Sequence, residues 1–219
     1  MEFDGRLVPS GFDACARIFH PARLDGRAVS WREIAAAFGT VAHARMEFEP
    51  LARRAAWDSS PAPGVFDRPP SCEWLPTELV APAVDVLRRH TATPDRCRYG
   101  FWVGHAGLPD GWRSAPELTV PGRTYLLFTG SLDDAIGVEN PTGWDGYWRP
   151  ALWWPEDRAW FLGSDTDLPT TYVAGSSALV RDLVASDLEV EEVAPETDFA
   201  HRGDDVNRGR EQATGPAPG

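Results

Sequence analysis

An α+β domain on a mainly antiparallel sheet, with a few short helices and long Pro-, Gly- and Trp-rich loops, is the fold class this sequence predicts. Three observations carry the prediction. Apolar segments of strand length crowd the second half of the chain and do not alternate with long helical ones. The segments with helical spacing or caps are short. Twenty Gly and twenty Pro in 219 residues interrupt the rest. One globular domain is expected over residues 1–197. Beyond Asp198 few large apolar residues occur, so 198–219 is expected to be a disordered tail.

Residues 12–19 (FDACARIF), closed by His20-Pro21, read as a first strand. Ser30-Trp31-Arg32-Glu33 has the form of a capping box and opens a helix to Phe38 that Gly39 ends. Residues 41–56 admit a strand over 41–48 and a helical turn over 50–56. From 57 to 76 five prolines predict a long loop, and loops of that length are often functional or disordered. Leu79, Ala83, Val86 and Leu87 share one helical face, so a helix lies within 77–90. Pro82 argues that it starts only near that residue. Residues 97–104 (CRYGFWVG) and 124–129 (TYLLFT) read as strands joined by a Gly/Pro-rich loop, with a short helix over 131–136. Residues 137–150 are a loop. Residues 151–154 (ALWW) and 158–163 (RAWFLG) flank Pro155-Glu156-Asp157 as a hairpin with a three-residue loop. Residues 170–173 are extended, a helix follows Gly175 to about Ala185, and 188–193 form the last strand.

Composition narrows the chemistry. The chain has 21 basic and 33 acidic residues and a net charge of −12. No lysine is present, which removes Schiff-base, P-loop and kinase-type lysine chemistry from this chain. The arginines form no basic stripe, so nucleic acid is not an expected partner. Cys15, Cys72 and Cys97 form no CxxC pair, and scattered thiols fit a reducing compartment. The first residues lack the basic and apolar regions of a signal peptide, and no apolar run reaches the ~18 residues that span a bilayer. A cytoplasmic, soluble protein without membrane contact is the expectation, with no metal and no cofactor. No GxSxG, HExxH or Gly-rich nucleotide loop occurs.

The segments RIFHPA (17–22), HTATPDRC (90–97), WWPEDRAWF (153–161) and TYVAGS (171–176) resemble a family of uncharacterised bacterial proteins. The likeness runs through most of residues 10–195. It implies a shared fold, and it carries over no activity and no catalytic or binding residue.

Four groups of residues are candidates for function. Ten tryptophans are present, and Trp144, Trp148, Trp153, Trp154 and Trp160 with Tyr147 fall within seventeen positions. Their faces could line a ligand site, with Tyr147, Trp148, Trp153 and Trp154 foremost, or simply fill the core. In a strand Trp153 and Trp154 point to opposite faces, so one is core and the other is free to sit in a groove. Asp165 and Asp167 could act as an acid/base pair at a strand end, or cap a turn. His20 and His105 stand beside strand ends, where a base is useful, or serve as hydrogen-bonded structural residues. Glu189, Glu191 and Glu192 mark an acidic edge strand. It is either a solvated edge that discourages aggregation or a docking face for a basic partner.

These readings favour a non-catalytic binding or protein-interaction domain, regulatory or immunity-like, whose partner is a basic protein or a small molecule. The alternative is a small-ligand hydrolase with an Asp/His site beside a Trp-rich pocket. A third reading is carbohydrate binding by the tryptophans alone.

Overall fold

The structure is a computed structural model that describes residues 3, 7–55, 58–106, 108–137, 149–195 and 203–208. In chain order the elements are β1 (Ala14–Phe19), β2 (Ala22–Leu24), β3 (Arg27–Val29), α1 (Trp31–Phe38), α2 (Phe48–Leu51), α3 (Thr77–Arg88) and β4 (Cys97–Trp102). After a 3-10 turn at Asp110–Ser114 come β5 (Glu117–Val120), β6 (Arg123–Gly130), α4 (Asp134–Gly137), β7 (Leu152–Pro155), β8 (Phe161–Ser164), β9 (Thr170–Gly175), α5 (Ser177–Val184) and β10 (Val190–Val193). Eight strands form one sheet in the order β10-β1-β9-β8-β7-β4-β6-β5, and β2 and β3 pair separately. Every pairing is antiparallel. The fold is α+β.

The strand β1 explains the first apolar run. It lies between β9 and β10, and all six of its residues are buried. Ala14, Ala16 and Ile18 meet Val173, Leu162, Trp153 and Tyr99 on the face that α3 and α5 cover. Cys15 faces the other way, with Tyr172, Phe161, Leu152 and Trp154. A third cluster joins Phe19, Trp31, Ile34, Met46, Phe48 and Phe66 where α1 and α2 wrap the strand end. A sheet covered on both faces has no polar side to show, so its strands read as runs rather than alternations.

The helix α1 follows its capping box. Ser30 accepts from the Glu33 amide, the Glu33 carboxylate accepts from the Ser30 amide, and Gly39 closes the helix at φ 66°. That left-handed value suits a residue without Cβ.

Several expectations are corrected. The helix α3 starts at Thr77, not near Pro82, and carries the proline inside it. Val80, 1% exposed, is pinned in the core beside Ala83, Val84 and Leu87, and that burial outweighs one missing backbone hydrogen bond. Residues 41–47 form no strand, and the turn that follows is α2. The β7–β8 loop is 156–160, five residues rather than three, because Pro155 ends β7 and Trp160 turns inward to donate its indole N–H to Leu87 O at 3.1 Å. The β2–β3 hairpin and β5 have no counterpart in the sequence reading; they are too short for a pattern. Part of the stretch expected as a tail is packed: 205–208 is a helical turn, with Asp204 and Asn207 buried.

No helix among the described residues is long and apolar enough to cross a membrane.

Candidate functional site

In this antiparallel order, the ends of β1, β4 and β8 and the starts of β6, β7 and β9 lie at one end of the sheet. The chain segment 71–74 runs across that end. Its position is held by two bonds: His20 donates from Nδ1 to Ser71 O at 2.7 Å, and the Glu73 amide donates to Asp165 O at 3.0 Å. Glu73 sits in the left-handed region at φ 87°, a costly conformation for a residue with a side chain.

All four acid/base candidates of the sequence lie along this strap, in two different environments. His20 is fully buried. In the neutral ring, with Nδ1 donating to a carbonyl, Nε2 accepts from the Thr171 hydroxyl at 2.8 Å. Thr171 in turn meets the Ser164 hydroxyl at 2.7 Å. These bonds link Ser164, Thr171, His20 and Ser71 in one chain. Burial, with the nearby charge of Arg17, lowers the His20 pKa from 6.5 to about 4. This His is structural.

Asp165, Asp167 and His105 gather instead around Arg123. The guanidinium grips Asp165 with two bonds, at 2.8 and 2.7 Å, and reaches Asp167 at 3.2 Å. Asp165 also accepts the Asp167 amide at 2.9 Å, an Asx-type turn. Both oxygens of Asp165 are therefore taken, and the pair is an ion-paired turn. Arg123 lies 4.9 Å from the centroid of Trp102. His105 packs edge-on to Trp102 at 5.2 Å and against Trp74 at 5.7 Å. Trp74, Trp102 and His105 are all half-buried. Burial, aided by Arg123, lowers the His105 pKa, so the ring is neutral near pH 7. Cys72 lies within reach of four carboxylates. Burial first, then Glu49, Asp167, Glu73 and Asp165, push its thiol up to about 11, which keeps it protonated near pH 7.

The remaining candidates lie elsewhere. Trp153 and Trp154 do point to opposite faces, but both are buried, at 1% and 7% exposure. Trp153 donates to Pro150 O at 2.9 Å, and Trp154 stacks on Phe161 with centroids 5.5 Å apart. Neither ring lines an open groove. Tyr147 and Trp148 lie outside the described residues. Glu189 and Glu191 do not face solvent as a free edge. The Glu189 carboxylate accepts the amides of Trp31 at 2.7 Å and Arg32 at 2.8 Å, capping α1, and Glu191 pairs with Arg32. Only Glu192 of the three is exposed.

Sequence reasoning missed Arg123, Trp102 and Trp74. One local signal exists. Gly104 follows Trp102 by two, and a Cβ there would stand 2.2 Å from Trp102 Cζ2. The indole folds back over a residue that must be small.

At the opposite end of the sheet, an open cleft of about 260 Å³ is lined by Asp95, Arg96, Cys97, Arg98 and Glu156 among others. Arg96 and Glu156 pair across it at 2.5 Å, and burial pushes the Cys97 thiol up to about 11. Among the described residues, no group of three or more His, Cys, Asp or Glu side chains is placed to hold a metal ion. Comparison of the chain with protein-family models, with curated proteins and with solved structures found no match.

Proposed function

We propose that this protein is a non-catalytic interaction domain, and that Trp74, Trp102 and His105 receive basic side chains of a protein partner. The observation that carries this reading is a half-buried aromatic surface rimmed by unequal charge. Glu49, Glu73, Asp165 and Asp167 all act on Cys72 in the strap, and Arg123 pairs with the last two of them. Ring faces and surplus carboxylates together suit an arginine or lysine side chain, and each cation–π contact contributes about 0.5–2 kcal/mol. The net charge of −12 would steer such a partner in. The catalytic candidates weigh the other way: His20 is sealed in the core, and Asp165 is saturated by Arg123. The likeness to a bacterial family adds a proposed shared fold and no activity.

One observation favours the hydrolase reading as a second possibility. His105 is neutral and half-buried near Arg123, the partner of the exposed Asp167, so it could accept a proton from a bound water.

Tryptophan-fluorescence titration with hexa-arginine, and with hexa-glutamate as control, separates the two. Saturable, salt-sensitive binding of hexa-arginine alone is expected, weakened about ten-fold by Trp74→Ala or Asp167→Asn. Binding that ignores both substitutions is bulk charge attraction and sinks the proposal. Turnover of p-nitrophenyl acetate that disappears in His105→Gln would establish the hydrolase instead.

A further inference from the structure

The loop 41–47 carries a set of polar contacts that the aromatic surface does not use. Residues 203–208 fold back onto that loop. Asp204 is fully buried and Asn207 is 1% exposed. One Asp204 carboxylate oxygen accepts from His43 Nε2 at 2.8 Å and from the Asn207 amide at 2.9 Å. The other accepts from the Glu47 amide at 3.1 Å and from Asn207 Nδ2 at 2.8 Å. The Asn207 carboxamide then closes a two-bond ring on the backbone of Val41: its Oδ1 accepts from Val41 N–H at 2.9 Å, and its Nδ2 donates to Val41 O at 3.0 Å. Arg208 pairs with Glu47. The segment thus presents a turn of the form Asp-x-x-Asn, and the loop reads it with two backbone amides, one carbonyl and one imidazole.

The loop is shaped from below by the core. Arg17, 7% exposed on β1, donates from Nη1 to Ala44 O at 3.1 Å and Met46 O at 2.8 Å. Among the described residues Arg17 forms no ion pair within 4 Å, and the carboxylates that act on it from farther off are Glu47 and Asp204. It lies 4.7 Å from the Phe19 ring centroid and 5.8 Å from those of Trp31 and Tyr172, and its Nε has no hydrogen-bond partner. The two Nη1 bonds tie the loop to β1 without involving residues 203–208. Those residues, by contrast, bring no large apolar side chain: Val206 is 47% exposed. Polar contacts without apolar burial are individually weak, and their occupancy rests on the high effective concentration of a tethered segment.

We propose that residues 41–47 form a recognition site for an Asp-x-x-Asn turn, occupied in cis by Asp204–Asn207, and that a protein partner carrying such a turn binds by displacing them. The test uses the full chain with Asp204→Ala and Asn207→Ala together, and the fluorescein-labelled peptide GDDVNR. Anisotropy should report saturable binding to this variant, binding about ten-fold or more weaker to the wild type, and none for a peptide whose first aspartate is alanine. A folded variant that ignores the peptide, or a wild type that binds it equally well, overturns the proposal. Should the variant not fold, hydrogen exchange of the wild type decides. The amides of Val41, Glu47 and Asn207 should exchange together and well ahead of those of β1. Exchange of all three only at the rate of β1 would overturn the proposal as well.

Discussion

Trp102 occupies space that Gly104 leaves empty. The indole lies over the glycine backbone and carries the Arg123 guanidinium on its face. One methyl group at position 104 therefore reaches the charged end of the site without touching a charge. Gly104→Ala is expected to move the indole off Arg123, change the near-UV circular dichroism, and cost about 1–3 kcal/mol, the usual range for a forced shift of a packed ring. A spectrum identical to the wild type would show that the ring does not depend on this glycine. Other single residues repeat the theme of polar groups that are buried only with partners. The indole N–H groups of Trp31, Trp153 and Trp160 each reach a backbone carbonyl, of His20, Pro150 and Leu87.

At the scale of elements, the acidic segment before and within β10 is a clamp on α1. The Glu189 carboxylate takes two amides that the capping box leaves open, and negative charge there also meets the positive end of the helix. Glu189→Ala should lower the unfolding free energy by about 1–2 kcal/mol, a shift of roughly 2–4 °C in Tm per kcal/mol for a chain of this size. Glu192→Ala should stay within about 0.5 kcal/mol. Thermal melts of both variants check this, and equal effects would mean that the clamp adds nothing. Segments 17–22 and 171–176, and segments 90–97 and 153–161, are also joined to one another as elements. Residues 91–93 hold the β7–β8 turn through Asp157, which accepts from the Thr91 hydroxyl at 2.9 Å and the Ala92 amide at 2.7 Å. Arg17 and Tyr172, from the first and last of those segments, are register partners across β1 and β9. Their side-chain pattern is accounted for by packing.

For the whole molecule, the buried histidine sets a dependence on acid. The folded-state pKa of His20 lies near 4 against 6.5 for a free imidazole. Below 6.5 the unfolded chain takes up a proton that the folded chain refuses. The stability linked to His20 is therefore fully present above pH 6.5 and is lost as the pH falls toward 4. The two pKa values bound the loss at about 3 kcal/mol, and His105, also lowered, adds with the same sign. Urea unfolding at pH 7.5, 5.5 and 4.5 should show the fall. His20→Gln should be less stable at pH 7.5 and flatter across the range. A slope unchanged by that substitution would place the acid sensitivity in other groups.

Features built from neighbours in the chain were legible in advance. Ser30 and Glu33 are three residues apart, Ser176 stands just before its helix, and the largely apolar β1 is one contiguous segment interrupted only by Arg17. Local geometry decides such features, so local residues announce them. The α+β class followed from the same signals. The site was legible only as a list of names. Asp165, Asp167 and His105 could be nominated, but Arg123, which joins them, is 42 residues from Asp165, and the strap that seats His20 is 51 residues from it. Which strands become neighbours depends on the order β9-β8-β7-β4-β6, and no periodicity within a strand encodes its partner. The same limit explains Pro82, whose local penalty is outweighed by distant core contacts, and Glu189, whose carboxylate serves a helix 158 residues earlier. The sequence by itself determined the class, the caps, the buried strands and the chemistry that a lysine-free chain cannot perform. Only the tertiary structure decided which polar side chains are consumed by the fold and which remain at the surface, because that division depends on burial and charge neighbours set by contacts far apart in the chain.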